Sequence, residues 1–191
     1  MRNDGTEILD ASDGSPFLGG PSFPLKNRVK RVVWNIAWTV LASWTPPAFK
    51  AWRRAILRIF GARVANTAII YSSARIWLPS NLEICDLACV GPNVTVYNMA
   101  MIKIGARAII SQGSYLCCGT HDVNNAAFQL LAKPIEIGEK VWIAAEAFVG
   151  PGVKVGDGAV LGARAVAMRS VNPWTIYSGN PAVAIRGRSE F

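Results

Sequence analysis

The chain contains a single histidine, His121, in the run Gly119-Thr120-His121-Asp122. One imidazole cannot build a metal site of the two- or three-histidine type, so no metal is expected. It can accept a proton from a hydroxyl near neutral pH, although a lone histidine taken in isolation is more often structural. The other candidates for chemistry are Cys85, Cys89, Cys117 and Cys118. Four cysteines in 191 residues do not suggest a disulfide framework. No secretory signal precedes them, which points to a reducing, cytoplasmic setting. Cys117 and Cys118 invite a thiol-nucleophile reading. However, one of two neighbours on an extended chain must point inward, and buried thiols are inert.

The elements that must position these groups follow from a six-residue period. From Ile137 the sequence runs IGEKVW, IAAEAF, VGPGVK, VGDGAV, LGARAV, AMRSVN. The first place is Ile137, Ile143, Val149, Val155, Leu161 and Ala167; the fifth is Val141, Ala147, Val153, Ala159, Ala165 and Val171. Gly or Ala holds the second place in all but the last block. Because a strand alternates faces at every residue, this pattern predicts short strands with inward first and fifth places, separated by turns. A small second place suits a tight corner, and a small fifth place suits a narrow one. Three blocks close one triangular coil, and stacked coils bury a continuous aliphatic column. An earlier, less regular run (Val64, Ile70, Ile76, Leu82, then Val90-Gly91, Val96 and Ile104-Gly105 after a two-residue slip) extends the same solenoid. Its one interruption, 122–133, should leave the coil as a loop with His121 at its foot, a natural place for a site.

Ahead of the repeat the composition changes. Residues 1–25 carry Asp4, Glu7, Asp10 and Asp13 against Arg2 and read as a flexible leader. Residues 26–62 read as a basic amphipathic helical segment, and 63–191 as the solenoid with its C-terminal cap. Between Lys26 and Arg63 lie nine basic residues and no acidic one. The run Val32 to Trp44 is too short to span a bilayer. A helix over 48–60 places Phe49, Trp52, Ile56, Ile59 and Phe60 on one side and Lys50, Arg53, Arg54 and Arg58 on the other. Docking of that apolar face on the protein's own core is the leading expectation. Peripheral contact with an anionic membrane surface is the alternative. No nucleic-acid-binding motif accompanies the basic residues.

The repeat, the Gly119–Asp122 motif, the block Val141-Trp142-Ile143 and the closing Gly179-Asn180-Pro181-Ala182 resemble the hexapeptide-repeat acyltransferases. Within these, the chain is similar to galactoside, maltose and nodulation acetyltransferases. It most resembles the acetyltransferases of colanic-acid biosynthesis, which also share the helical lead into Phe60-Gly61-Ala62. The resemblance implies a left-handed parallel β-helix, a homotrimer with sites between subunits, and direct acetyl transfer from acetyl-CoA to a sugar or glycan hydroxyl. His121 would be the general base. Asn93 would help to place the acceptor, and Asp122 is a further acceptor-side candidate. Trp142 and Ala163 would line the coenzyme groove, and Arg169 and Arg186 would meet its phosphates, with Arg164 and Arg188 as competitors. Tyr97, Asn98 and Tyr115 are possible contributors to the acceptor pocket. A catalytically inactive trimeric scaffold and an acyltransferase using another acyl-CoA remain the alternatives. One histidine cannot supply the ligand set of the zinc carbonic anhydrases that share this fold.

Overall fold

The computed structural model describes residues 22–191, together with the backbone of strand β1 (Glu7–Ile8). The rest of the expected leader lies outside the described residues. From Arg63 onward the chain winds as a three-sided parallel solenoid of five full coils and part of a sixth. The first face stacks β2 (Arg63–Val64), β5 (Leu82–Ile84), β8 (Ile102–Ile104), β13 (Ile135–Ile137) and β16 (Lys154–Val155). The second stacks β3 (Ile69–Ile70), β6 (Cys89–Val90), β9 (Ile109–Ile110), β14 (Trp142–Ile143), β17 (Val160–Leu161) and β19 (Thr175–Ser178), closed by antiparallel β20 (Val183–Gly187). The third stacks β4 (Arg75–Ile76), β7 (Thr95–Tyr97), β10 (Tyr115–Cys117), β15 (Phe148–Val149) and β18 (Val166–Ala167).

The first places of the repeat form the core columns. Val64, Ile84, Ile104, Ile137 and Val155 align on the first face, and Ile70, Val90, Ile110, Ile143 and Leu161 on the second. All are buried, as are the fifth places from Val141 to Val171. The second-place glycines are required by stacking rather than by backbone angle. A Cβ on Gly105 would lie 2.5 Å from the carbonyl carbon of Gly138 in the next coil. The turn itself falls two places later: Asn93, Arg107, Lys140, Glu146 and Arg164 all adopt positive φ.

The two-residue slip is a recurring corner. Val64 aligns with Ile84 and Ile84 with Ile104, twenty residues apart, whereas Ile137 aligns with Val155 after eighteen. The extra residues make a 3₁₀ turn at Pro79–Asn81 and the segment beginning at Asn98. Asn98 is fully buried. Its Oδ1 accepts from the Leu78 N–H at 3.1 Å, and its Nδ2 donates to the carbonyls of Leu78 (2.6 Å) and Asn81 (3.1 Å). Asn81 returns the contact by donating to the carbonyls of Asn98 and Met99. Asn98 is thus a corner brace and lies outside any acceptor pocket. Replacement by alanine strands the Leu78 N–H and the Asn81 carbonyl, while the Leu78 carbonyl keeps the Asn81 N–H at 3.1 Å, and should cost about 3 kcal/mol. Thermal unfolding should then show a midpoint lowered by roughly 6–12 °C. An unchanged midpoint would show that water takes over the bonds.

Helices α1 (Leu25–Leu41) and α2 (Lys50–Ile59) cap the N-terminal end. The first coil has no predecessor, so several of its strand carbonyls face outward without a β partner. The basic segment supplies the donors: Arg58 Nε to Val64 O (2.8 Å), Arg54 Nη1 to Ala68 O (3.0 Å) and Arg53 Nε to Ile70 O (2.7 Å). The Trp34 indole N–H closes the third face at Ile76 O (2.7 Å). Ile56 and Leu57 of α2 are buried, so this helix docks on the solenoid, but not by the expected face: Phe49, Trp52 and Ile59 stay exposed, and Arg53 turns inward because the carbonyls of the open coil need its donors.

Candidate active site

His121 ends β11 (Gly119–His121), which pairs antiparallel with β12 (Leu130–Ala132). The expected bare loop is therefore a hairpin, with residues 122–129 as its tip. β12 also pairs with the strand Glu7–Ile8. The hairpin leaves the edge between the third and first faces, where the repeat breaks. Gly119 lets its base lie close to the solenoid, since a Cβ there would fall 1.8 Å from Met99 Cε and 3.3 Å from Tyr97 Cε1.

The half-buried imidazole stacks on Phe128, with centroids 4.4 Å apart and planes inclined by 10°. Its Nδ1 lies 2.9 Å from the Phe128 carbonyl oxygen. A carbonyl can only accept, so the ring hydrogen sits on Nδ1 and Nε2 presents its lone pair. This is the tautomer that a general base needs. The orienting group is a main-chain oxygen. Asp122 instead shapes the tip: its Oδ1 accepts from the Asn124 N–H (3.1 Å) and its own N–H donates to Gln129 O (2.9 Å).

Neither adjacent cysteine is an activated thiol. Cys118 is fully buried, with Sγ 3.6 Å from Ala100 O, and burial pushes its pKa up to about 12. Burial also raises that of Cys117. The third face carries a stripe of aromatic rings that the repeat pattern did not reveal. Trp77, Tyr97, Tyr115 and Phe148 follow one another at centroid separations of 5.8, 6.3 and 5.7 Å.

The remaining candidates do not gather around His121 within one chain. Asn93 and Ala163 are exposed on the edge between the second and third faces, Asn93 at a turn with φ of 56°. Trp142 is half-exposed on the second face and donates its indole N–H to Ser111 Oγ (3.0 Å). Through Val160 and Ile176 it shares a cross-strand row with Arg186, three strands and about 14 Å away. Arg169 is exposed on the edge that bears the hairpin. Of the competing arginines, Arg164 pairs with Glu146 (2.7 Å). Arg188 donates to the carbonyls of Lys140 and Gly158 and lies 4.8 Å from the Phe191 ring centroid. A cleft of about 490 Å³ between Trp142 and Phe191 adds Arg107 and Lys140 to the cations near this face. Their clustering depends on coil stacking and leaves no local sequence signal. Among the described residues no group of His, Cys, Asp and Glu could hold a metal ion.

The family described as bacterial transferase hexapeptide (six repeats) matches residues 134–166. The chain is 42% identical over 178 residues to the "Putative colanic acid biosynthesis acetyltransferase WcaF" of Escherichia coli K12, covering 93% of this chain and 98% of that protein. Among solved structures it is similar to the hexapeptide-repeat acetyltransferase VCA0836 of Vibrio cholerae complexed with acetyl-CoA. That match has a TM-score of 0.78 and 21% identity over 88% of this chain and 93% of the other. A galactoside acetyltransferase in complex with coenzyme A gives a TM-score of 0.75 at 21% identity, over 87% and 84% of the two chains. A near full-length relative at this identity, the six-residue period and the matching solenoid together establish that the chain belongs to the hexapeptide-repeat acyltransferase family, with the left-handed parallel β-helix of that family as its fold.

Proposed function

We propose that the protein moves an acetyl group from acetyl-CoA to a hydroxyl of a sugar or glycan precursor, in the cytoplasm, as a step of polysaccharide assembly. The observation that carries the mechanism is the 2.9 Å contact between His121 Nδ1 and Phe128 O, which leaves Nε2 free to accept. The acceptor oxygen attacks the thioester carbonyl carbon as Nε2 takes its proton. The tetrahedral intermediate then collapses, the carbon–sulfur bond breaks, and the imidazolium returns the proton to the leaving thiolate. No acyl-enzyme is needed, in keeping with two thiols that burial holds protonated. The names of the colanic-acid relative and of the galactoside enzyme support a sugar acceptor, and the complexes of the solved relatives support acetyl-CoA as donor. The aromatic stripe beside the hairpin offers rings for a sugar face to pack on.

We further propose that the working unit is a homotrimer. His121 lies on one edge of the prism, whereas Asn93, Trp142, Ala163 and Arg186 lie on the second face or its far edge. A neighbouring copy laying that face against the hairpin would complete the site. The row from Trp142 to Arg186 has a length suited to a pantetheine arm with its diphosphate at the arginine end, and Arg169 is the second phosphate candidate.

The test is a panel of free sugars, oligosaccharides and nucleotide sugars with acetyl-CoA, followed by release of free thiol. At least one sugar should be acetylated. Trp142→Ala and Arg186→Ala should each raise KM for acetyl-CoA about tenfold with little change in kcat, as expected for uniform binding interactions. Failure of every sugar to turn over, with the trimer intact, would favour a scaffold. Turnover only with a longer acyl-CoA would reassign the donor.

A further inference from the structure

Helix α1 is apolar on two opposite sides. One side, through Trp34 and Trp38, is buried on the solenoid. The other, formed by Val29, Val32, Val33, Ile36 and Val40, is between 51% and 60% exposed. At 100° per residue these five cluster about the direction opposite the two tryptophans. A helix with two apolar sides calls for cover on both, and an exposed patch of this kind marks an interaction surface. Its C-terminal end is flanked by the exposed indoles of Trp44 and Trp52, whose N–H groups donate to Val40 O and Leu41 O. Its N-terminal turns carry Lys26, Arg28 and Lys30, all exposed. From Lys26 to Leu82 there is no acidic residue.

We infer that this outer face of α1 docks on the surface of an anionic phospholipid membrane, lying in its plane. Valine and isoleucine side chains enter the acyl boundary, indoles sit at headgroup depth, and the lysines meet lipid phosphates. The geometry excludes crossing: α1 has 17 residues, about 25 Å of helix against a hydrocarbon core of about 30 Å. Among the described residues no helix is long and apolar enough to span a membrane. Charge selects the occupant. The cap arginines are satisfied by carbonyl oxygens, but the lysines of α1 stand around an apolar strip with no carboxylate in their own segment. Two copies meeting through this face would bring like charges together, whereas anionic lipid neutralises them. The surface lies apart from His121, so the inference does not depend on the proposed reaction.

Co-sedimentation of the full chain with vesicles tests it. Vesicles of phosphatidylcholine containing phosphatidylglycerol should carry the protein down, and phosphatidylcholine alone should do so far less. Raised salt should weaken the binding. Lys26→Ala and Lys30→Ala should each lower partitioning about fivefold. Ile36→Glu combined with Val40→Glu should lower it about tenfold or more, with the unfolding midpoint and acetyl transfer to a soluble acceptor unchanged. Absence of sedimentation, equal binding to both vesicle types, or wild-type binding by the variants would overturn the inference. So would a fall in the sedimentation coefficient of lipid-free Ile36→Glu/Val40→Glu protein, which would make this face a contact between copies of the chain.

Discussion

His121→Ala should fold normally and lose roughly 10²–10⁴-fold in kcat, the usual contribution of a positioned acid–base group. The ring lies on the outside of the solenoid, half-buried against Phe128, and none of the aligned core columns includes it. Its removal therefore takes away the Phe128 stacking contact and one hydrogen bond, leaving the coils intact. KM for acetyl-CoA should stay nearly constant, because the contacts assigned to the arm and its phosphates come from Trp142 and the arginines rather than from the imidazole. Steady-state kinetics with a sugar identified by the acceptor panel, together with circular dichroism and thermal unfolding, would check this. Near-full activity in the folded variant would show that the proton leaves by another route. A raised KM with kcat preserved would make His121 a binding residue.

Arg53→Met should be the most destabilising single substitution among the cap arginines, costing about 3–5 kcal/mol. Arg53 is 2% exposed. Its guanidinium donates to Ile70 O (2.7 Å), Thr45 Oγ1 (2.9 Å) and Pro46 O (3.0 Å), tying the helix connection to the second face. Burial, and then the neighbouring Arg54, loosen its hold on the proton, yet a guanidinium stays charged at any ordinary pH. Methionine fills much of the same volume but leaves Ile70 O and Thr45 Oγ1 without that donor, while Pro46 O keeps only the Phe49 N–H at 3.0 Å. Arg54 and Arg58 are more exposed, and their methionine variants should lose only about 1 kcal/mol. Urea unfolding of the three variants would rank them. Equal, small losses would mean that the open end of the first coil is hydrated and the cap is dispensable.

The basic segment illustrates where reading a sequence stops. Nine cations without a carboxylate look like a partner surface, yet Arg53, Arg54 and Arg58 of α2 are spent on the protein's own first coil. Main-chain carbonyls carry no sequence signature, so nothing in the letters announces that Arg53, Arg54 and Arg58 will find them. The same reason hides Phe128 O, the group that orients His121. It also hides the role of Asn98, which faces inward at a corner that exists because the first two coils take twenty residues rather than eighteen.

The period was legible because each inward place is filled six residues after the last, and burial punishes any departure from that spacing. The break at 122–133 was legible for the complementary reason: a segment freed from the columns loses their pattern. One histidine at the foot of that break, in a motif that resembles the acetyltransferases, nominated the base. Only the tertiary structure decided which ring nitrogen is available, that both neighbouring thiols are shielded, and that Asn93, Trp142 and Arg186 lie away from the edge that bears His121. Coil stacking joins residues twenty or eighteen positions apart, and across the hairpin it joins Ile104 to Ile137. Spacing along the chain fixes the face on which a side chain stands, but its neighbours depend on how many residues each corner takes.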